Sequence, residues 1–462
     1  MIDLGFLAGK TIAVLGLGAS GLAVACALKA GGAHVIAWDD ALAMREAAMT
    51  EDIRVVEADR WPWPQIDRLV MSPGIPHTHP APHPVAAAAA RTKTPITGDV
   101  ELLYLSDPQA RFVGITGTNG KSTTTHLLGH LFDTAGIPYQ VGGNIGVPVA
   151  ALTPMGKGGT YILEMSSYQL ELIGALVFDL SILLNISTDH LERHGGMGGY
   201  VTAKRRIFRT SAEWQTAIVG TDDQYSQAIL ADLARGGAHA AIGISGNRPV
   251  VGGVYAEHGI LMDAVQGAGA VADLTQIGSL QGAHNHQNAA AAFAAAISLG
   301  IEKDSVAAGL KSFPGLAHRQ ERIGAIGDVV YVNDSKATNA EAAHTALTSF
   351  TDIYWIAGGR EKEGGIRSLD NQALAGVRHA YLIGEARTDF AATLRGRLPF
   401  TLCETLVEAT RLASAAAREA GKGVVLLSPA CASFDQYANF EARGNAFRMA
   451  VLSLIADAEG AA

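Results

Sequence analysis

Phe112-Val113-Gly114-Ile115-Thr116-Gly117-Thr118-Asn119-Gly120-Lys121-Ser122 is the stretch that decides how this chain folds. Its opening residues are apolar or small, with β-branched Val113 and Ile115, and read as a buried strand. Gly117 and Gly120 then make a turn, and the residues from Ser122 read as a helix. A glycine-rich turn between a strand and a helix offers backbone N–H groups to phosphate oxygens, and the helix N-terminus adds its positive dipole end. The spacing departs from the strict GxxxxGK[ST] pattern, because Ile115 stands where the first glycine belongs. The working parts remain: Lys121 to reach β- and γ-phosphates and Ser122 to ligate Mg²⁺. The bland alternative is a connecting loop with a solvated lysine.

Working outward, similar buried runs recur at Thr11–Leu15, His34–Trp38, Arg68–Met71, Tyr161–Glu164, Leu180–Asn185, Tyr354–Ala357 and Val424–Leu427. They alternate with Ala-rich helical stretches such as Ala86–Ala90 and the run from Ala289. That alternation predicts α/β sheets with right-handed crossovers. A second turn, Gly16-Leu17-Gly18-Ala19-Ser20-Gly21, matches GxGxxG after a strand, and Asp39 ends the next strand. Alone it fits NAD(P) or any other diphosphate, a UDP-sugar included, and a tight turn without a ligand is a third reading. Ser72-Pro73-Gly74 closes another strand of this segment, where ligands of open sheets lie, though an ordinary turn explains it equally. Each glycine turn starts its own sheet. Polar Arg91–Gly98 (RTKTPITG) and Phe313-Pro314-Gly315 read as boundaries, giving three domains over 1–98, 99–315 and 316–462. The first and third are Rossmann-like and the second is a P-loop ATPase domain. Residues 236–280 read as short strands and Gly-rich turns without an assignable function.

Composition narrows the classes. The chain has 462 residues, 48% hydrophobic and 17% charged, so it can bury sizeable cores and is not disordered by composition. With 35 basic and 44 acidic side chains the net charge is −9, which argues against a nucleic-acid or anionic-membrane partner. Three cysteines are too few for a disulfide framework, so a reducing compartment is expected. MIDLGFLAGK lacks the pattern of a secretory signal, and the most apolar window, Ile173–Ile186, is interrupted by Asp179 and too short to span a bilayer. The expectation is a cytoplasmic protein.

Further residues complete a nucleotide site. Glu164 ends a strand where an acid would hold the metal of a bound nucleotide, or else serve as a helix-start acid beside Ser166. His190 follows another strand. Its i,i+4 spacing to His194 makes a zinc pair conceivable, although no HExxH signature or third ligand is evident. Lys204, in TAKRRIF, reads by composition as part of a solvated charge run. His284-Asn285-His286-Gln287-Asn288 offers amides to an adenine edge or simply caps a helix.

At this point the residues resemble a known family. TGTNGKST (Thr116–Thr123), GGNIG (Gly142–Gly146), LEMSSYQLE (Leu163–Glu171), NISTDHLERH (Asn185–His194), AKRRIF (Ala203–Phe208), GAHNHQN (Gly282–Asn288), FPGLAHRQE (Phe313–Glu321), NDSKATN (Asn333–Asn339) and SPACASFDQYANFEARG (Ser428–Gly444) together resemble the bacterial Mur ligases, over nearly the whole chain and in order. The last two motifs are the specific ones. They are similar to the branch that adds D-glutamate to UDP-N-acetylmuramoyl-L-alanine with ATP, by way of an acyl phosphate. The ATP loop and the HN motif are shared with folylpolyglutamate synthases, and the DNPR motif of the diaminopimelate-adding branch is absent. An NAD(P) oxidoreductase, the rival reading of Gly16–Gly21, leaves Lys121 and the motifs after it unexplained. A non-catalytic nucleotide sensor would make no ADP with any acceptor.

The resemblance implies roles residue by residue. Gly117, Thr118, Asn119, Gly120, Lys121, Ser122 and Thr123 would bind the ATP phosphates. Asn285 and Asn288 would contact adenine, Asp334 the ribose, and Arg319 the γ-phosphate. Ser122 and Glu164 would hold one Mg²⁺ and His190 a second. Lys204 would be carbamylated by CO₂ into an anion bridging the two ions. Lys121, His190, Lys204 and Asn144 would form the catalytic set. Ser20, Ser72, Gly74 and Asn144 would hold the UDP substrate, the first turn accepting UDP and not NAD. Lys336, Thr338, Lys362, Ser433 and Phe440 would line the D-glutamate site. Two small molecules, a monomer and no nucleic acid or membrane partner are implied. Asp39-Asp40-Ala41 departs from the Asp-Thr-Arg of the best-known members, which puts uracil contacts there in doubt. Trp61-Pro62-Trp63-Pro64 carries no assignable role.

Overall fold

A computed structural model describes residues 1–210, 215–265, 267, 269–362 and 364–460. Three sheets carry the architecture. The first holds β1 (Thr11–Leu15), β2 (His34–Trp38), β3 (Arg68–Met71) and β4 (Ile96–Thr97), all parallel, in the order β2-β1-β3-β4. The second holds nine strands: β5 (Arg111–Thr116), β6 (Tyr139–Gly143), β7 (Thr160–Glu164), β8 (Leu180–Leu183), β9 (Gln215–Gly220), β10 (His239–Ser245), β11 (Val254–Glu257), β12 (Ile260–Asp263) and β13 (Gly269–Asp273). Their order is β13-β12-β11-β10-β9-β8-β5-β7-β6, parallel except for the β11–β12 and β12–β13 pairs. The third runs β14-β15-β19-β16-β17-β18, from β14 (Glu321–Ile326), β15 (Val329–Asn333), β16 (Ile353–Gly358), β17 (Val377–Ile383), β18 (Phe400–Leu402) and β19 (Gly423–Leu427). Only β14 is antiparallel to its neighbour there.

Parallel strands covered by helices on both faces read as continuous apolar runs. That is why the strands expected from sequence coincide with β1, β2, β3, β5, β7, β16 and β19, while the run expected to Asn185 stops at Leu183. The segment expected to be a polar boundary, 91–98, contains β4, an edge strand paired with Leu69 and Val70.

The boundary at 98 separates two sheets but not two compact units. Residues 1–277 and 283–313 form one unit, and residues 278–282 and 314–462 form the other. One apolar cluster runs through the first two sheets, from Ile2, Val14 and Leu28 to Leu102, Phe112 and Tyr161. The backbone N–H of Ile2 also donates to Ala150 O at 3.0 Å. The second unit has its own clusters on the two faces of its sheet, around Trp355 and Phe390 and around Tyr331 and Phe447. Among the described residues no helix is long and apolar enough to cross a membrane.

The first glycine turn shows why its spacing matters. A Cβ on Gly21 would sit 1.8 Å from Gly16 O, so the helix Ala19–Ala30 can approach β1 only with glycine there. A Cβ on Gly18 would meet nothing within 4 Å. We therefore expect Gly21→Ala to cost about 2–3 kcal/mol and Gly18→Ala to leave stability nearly unchanged. Thermal unfolding of the two variants side by side checks this, and equal melting temperatures would refute it.

Candidate active site

The second glycine turn sits at the C-terminal end of β5, in the interior of its sheet, with β7 on one side and β8 on the other. Gly120 (φ +85°) precedes the helix Lys121–Thr134, and a Cβ there would come within 2.3 Å of Asn288 Oδ1. Asn288 is pressed against the turn from the helix Ala283–Ser298. Its Oδ1 accepts from Thr124 Oγ1 at 3.2 Å and its Nδ2 donates to Asn285 Oδ1 at 3.2 Å. Both asparagines are buried, and the amide oxygen of Asn288 joins its helix to the helix Lys121–Thr134. That is a physical role the adenine expectation did not include.

The turn is also braced from the far side. Thr118 N–H donates to Asn185 O and Asn119 N–H to Asn185 Oδ1, each at 2.9 Å. Asn185 Nδ2 reaches Asn119 O and Gln287 Oε1. These two loop amides, expected to face phosphate, are therefore committed inside the protein. The helix that begins at Lys121 adds its positive dipole end to the turn. Asn185 stood inside a recognised motif, yet sequence reasoning gave it no role.

Two lysines converge on one oxygen. Lys121 Nζ donates to Gly117 O and Thr118 O at 2.8 Å each, and Lys204 Nζ donates to the same Gly117 O at 2.8 Å. Lys204 also reaches Thr116 Oγ1 at 3.4 Å and lies 4.8 Å from the Tyr200 ring centroid. It is 1% exposed, which overturns the reading of TAKRRIF as a solvated charge run at this position. Burial, and then the charge of Lys121, push its pKa well below the ordinary lysine value. An amine held neutral is a nucleophile.

Beside them Glu164 ends β7, 2% exposed. Its Oε1 accepts from Asn144 Nδ2 at 2.9 Å, and Asn144 N–H donates to Glu164 O at 2.8 Å. Asn144, expected at the substrate, is thus anchored to the acid. Glu164 Oε2 is enclosed with no hydrogen-bond partner. A buried carboxylate oxygen without a donor is costly, and a divalent cation is the partner that removes the cost. The donor set of Glu164 with the Ser122 hydroxyl suits a hard, oxygen-seeking ion such as Mg²⁺. Among the described residues no group of three or more His, Cys, Asp or Glu side chains is placed to hold a metal by itself. A cation here would share its shell with phosphate oxygens or other donors.

His190 has left-handed backbone (φ +49°) and a half-exposed ring, 3.4 Å from Asp189 Oδ2. Burial lowers its pKa below the ordinary histidine value despite that carboxylate, which favours the neutral ring that can ligate or accept a proton. The i,i+4 zinc pair does not form. His194 is buried, with Nδ1 2.9 Å from Glu171 Oε1 and Nε2 2.9 Å from Ser167 Oγ. Arg193, between the two histidines, donates to Pro73 O and His79 O and lies 4.7 Å over the Tyr168 ring. It ties the loop after β3 to the loop that carries His190. Around the first turn, Ser20 and Ser72 border a small cavity above Asp99, and Ser72 Oγ donates to Gly16 O at 3.2 Å. Gly74 is exposed beside them.

The remaining expected residues lie in the second unit. Arg319 sits between two non-glycine residues with left-handed backbone, His318 (φ +63°) and Gln320 (φ +47°). Asp334 is buried. Its Oδ1 accepts from Gln320 N–H at 3.2 Å and its Oδ2 from Ser428 Oγ at 2.9 Å, and burial raises its pKa to about 7. Lys336 Nζ stands 3.9 Å from the Phe440 ring centroid, and Thr338 N–H donates to Lys336 O. Ser433 is buried in the loop after β19. Lys362 is exposed on the rim of a cleft of about 550 Å³ with Glu341 and Arg367. The loops after β15, β16 and β19, adjacent strands of one sheet, carry Asp334, Lys336, Thr338, Lys362 and Ser433, whereas Arg319 lies just ahead of β14.

Comparison with known proteins adds the following. A family model described as the Mur ligase middle domain matches residues 115–296. A UDP-N-acetylmuramoylalanine--D-glutamate ligase of Rhodospirillum rubrum is 49% identical, over 98% of this chain and 97% of that one. A protein of the same name from Phenylobacterium zucineum is 48% identical, over 98% of each chain. Among solved structures, the UDP-N-acetylmuramate-alanine ligase of Thermotoga maritima superposes with a TM-score of 0.57 at 16% identity, covering 96% of this chain and 99% of that one, a likeness of fold.

Proposed function

Because the chain belongs to the Mur ligase family, we propose that it joins D-glutamate to UDP-N-acetylmuramoyl-L-alanine with conversion of ATP to ADP and phosphate, a step of peptidoglycan precursor synthesis. The observation that carries this reading is the 49% identity over nearly the full length of a ligase of that name. It acts as a cytoplasmic monomer on small molecules.

The chemistry explains the site. A carboxylate does not acylate an amine at neutral pH, because its oxygen is a poor leaving group. Attack of the substrate carboxylate on the γ-phosphorus forms an acyl phosphate and releases ADP. Attack of the D-glutamate amine on the acyl carbon then forms the amide and expels phosphate. The first step brings several anions together, so positive charge must be fixed beforehand. Lys121 supplies it at the turn. Mg²⁺ would be held by Glu164 and Ser122, with His190 at a second ion, and would screen the phosphate oxygens. Asn144, fixed to Glu164, would orient the carboxylate end of the UDP substrate. Ser20, Ser72 and Gly74 would hold its diphosphate. The amine must lose a proton, and neutral His190 is a base for it where it is not itself a ligand.

We infer that Lys204 reacts with CO₂, its neutral amine adding to the carbon and a proton leaving, to give a carbamate anion. The support is its burial, its lowered pKa and the second ammonium on the same carbonyl, which disfavours a cation there. Asp334 and Asn285 would meet the nucleoside, and Lys336, Thr338, Lys362, Ser433 and Phe440 the amino acid.

The deciding assay measures ADP from purified protein with UDP-N-acetylmuramoyl-L-alanine, ATP, Mg²⁺ and D-glutamate, each omitted in turn. We expect ADP only from the complete mixture. A preference for L-glutamate, meso-diaminopimelate or a folate acceptor would overturn the reading.

A further inference from the structure

Arg443 is 1% exposed and among the largest fully buried side chains of the protein. It lies on the helix Phe440–Gly460, on the stripe that continues through buried Phe447 and Val451. Burial lowers its pKa only to about 10, so it is a cation at neutral pH. A buried cation is costly unless its donors are used, and among the described residues no carboxylate bonds to it.

Its donors hold loops instead. Nε donates to Ser335 Oγ at 3.0 Å, and Nη2 donates to Ser335 O at 2.9 Å and to Cys431 O at 3.0 Å. Ser335 Oγ passes the connection on, donating to Phe440 O at 2.8 Å. Nη1 is enclosed without an acceptor, 3.1 Å from where a Cβ of Gly359 would stand. Two nitrogens of one planar group therefore bond the loops after β15 and β19, the third lies against Gly359 at the end of β16, and Ser335 Oγ extends the link to the first turn of the last helix. These are the segments that carry Lys336, Ser433, Lys362 and Phe440.

We propose that Arg443 is the positioning residue of the amino-acid subsite: its rigid fork fixes the separation of these loops, so that the groups meeting the two carboxylates of the incoming amino acid stand at one distance, and it thereby selects for side-chain length without touching the amino acid. This rests on the reading that the set binds D-glutamate. A lysine keeps the charge but has no planar fork, so it cannot hold Ser335 and Cys431 at once.

The test is Arg443→Lys in the full chain. We expect the KM for D-glutamate to rise about tenfold or more, with the KM values for ATP and the UDP substrate within about twofold of the parent, and the D-glutamate over D-aspartate preference in kcat/KM to narrow about tenfold. A merely structural role would move all three KM values together and leave that preference intact, and either result overturns the proposal. Should the lysine variant not fold, Ser335→Ala removes the hydroxyl link to Phe440 and must shift the same two quantities the same way by a smaller factor; no shift refutes the proposal. If the parent protein makes no D-glutamate-dependent ADP, the parent reading has failed. Hydrogen exchange then tests the positioning role alone. Faster exchange in Arg443→Lys confined to 334–338 and 430–433 supports it, and unchanged exchange there refutes it.

Discussion

Lys204→Ala lowers turnover about a thousandfold, and a short carboxylic acid such as acetate added at millimolar concentration restores part of it. The loss corresponds to about 4 kcal/mol of transition-state stabilisation, the size expected when one preorganised charge is removed from an enclosed site. The reasoning begins at Gly117 O, which accepts from both Lys121 and Lys204 at 2.8 Å. Burial, and then the charge of Lys121 beside it, push the Lys204 pKa well below the ordinary lysine value and favour its neutral amine. As the free amine it contributes no charge to the site; the carbamate proposed above would contribute an anion that, like Glu164 with its unpartnered Oε2, would serve a divalent cation. Alanine removes that anion and leaves a hole about the size of the lysine stem, into which acetate can diffuse with its negative charge. Steady-state ADP formation with and without acetate measures it. Full activity of the alanine variant without any added acid would show that residue 204 is not part of the chemistry. Restoration by chloride as well as by acetate would show that any anion suffices, which removes the carbamate from the argument.

Lys121→Met is expected to be at least as severe, about 10³–10⁴-fold in kcat, because no other side chain on the turn can put a positive charge beside the transferred phosphoryl group. Methionine keeps the length and loses the charge and the two bonds to Gly117 O and Thr118 O. The turn itself should survive, since Asn185 and Asn288 brace it independently. Binding of the UDP substrate, proposed to rest on the first sheet, should be unchanged by calorimetry. A variant that loses both activity and UDP-substrate binding would mean that the two glycine turns are not separate sites.

Much of this was legible in the sequence, and the parts that were not have identifiable causes. Strands buried on both faces announce themselves as β-branched runs, which is why β5, β7 and β16 were plain. The two-residue β4 and the three-residue β18 carry too little pattern to be read, whereas β11–β13 fall where short strands and Gly-rich turns were expected over 236–280. The burial of Lys204 was misread from the charges around it. The signal was nevertheless present: Tyr200, Ala203, Lys204, Ile207 and Phe208 are all buried and fall at helical spacing, so Lys204 stands on the apolar face of its segment. The same spacing, Arg443 with Phe447 and Val451, pointed to a buried arginine. What no pattern could show is a side chain that reaches across the chain, as Asn185 does to the turn at 118–119. Such contacts depend on which strands become neighbours, a property of the topology and not of the local run of residues.

The guanidinium of Arg193 has one more consequence. By holding Pro73 O and His79 O, it makes the loop next to the first glycine turn and the loop of His190 parts of one framework. A molecule gripped at its diphosphate by the one and presented to the other is measured as by a caliper whose jaws do not slide. Its reactive end arrives in register only when the number of atoms between the two is right. Analogues lengthened or shortened in that span should then dock well and turn over poorly.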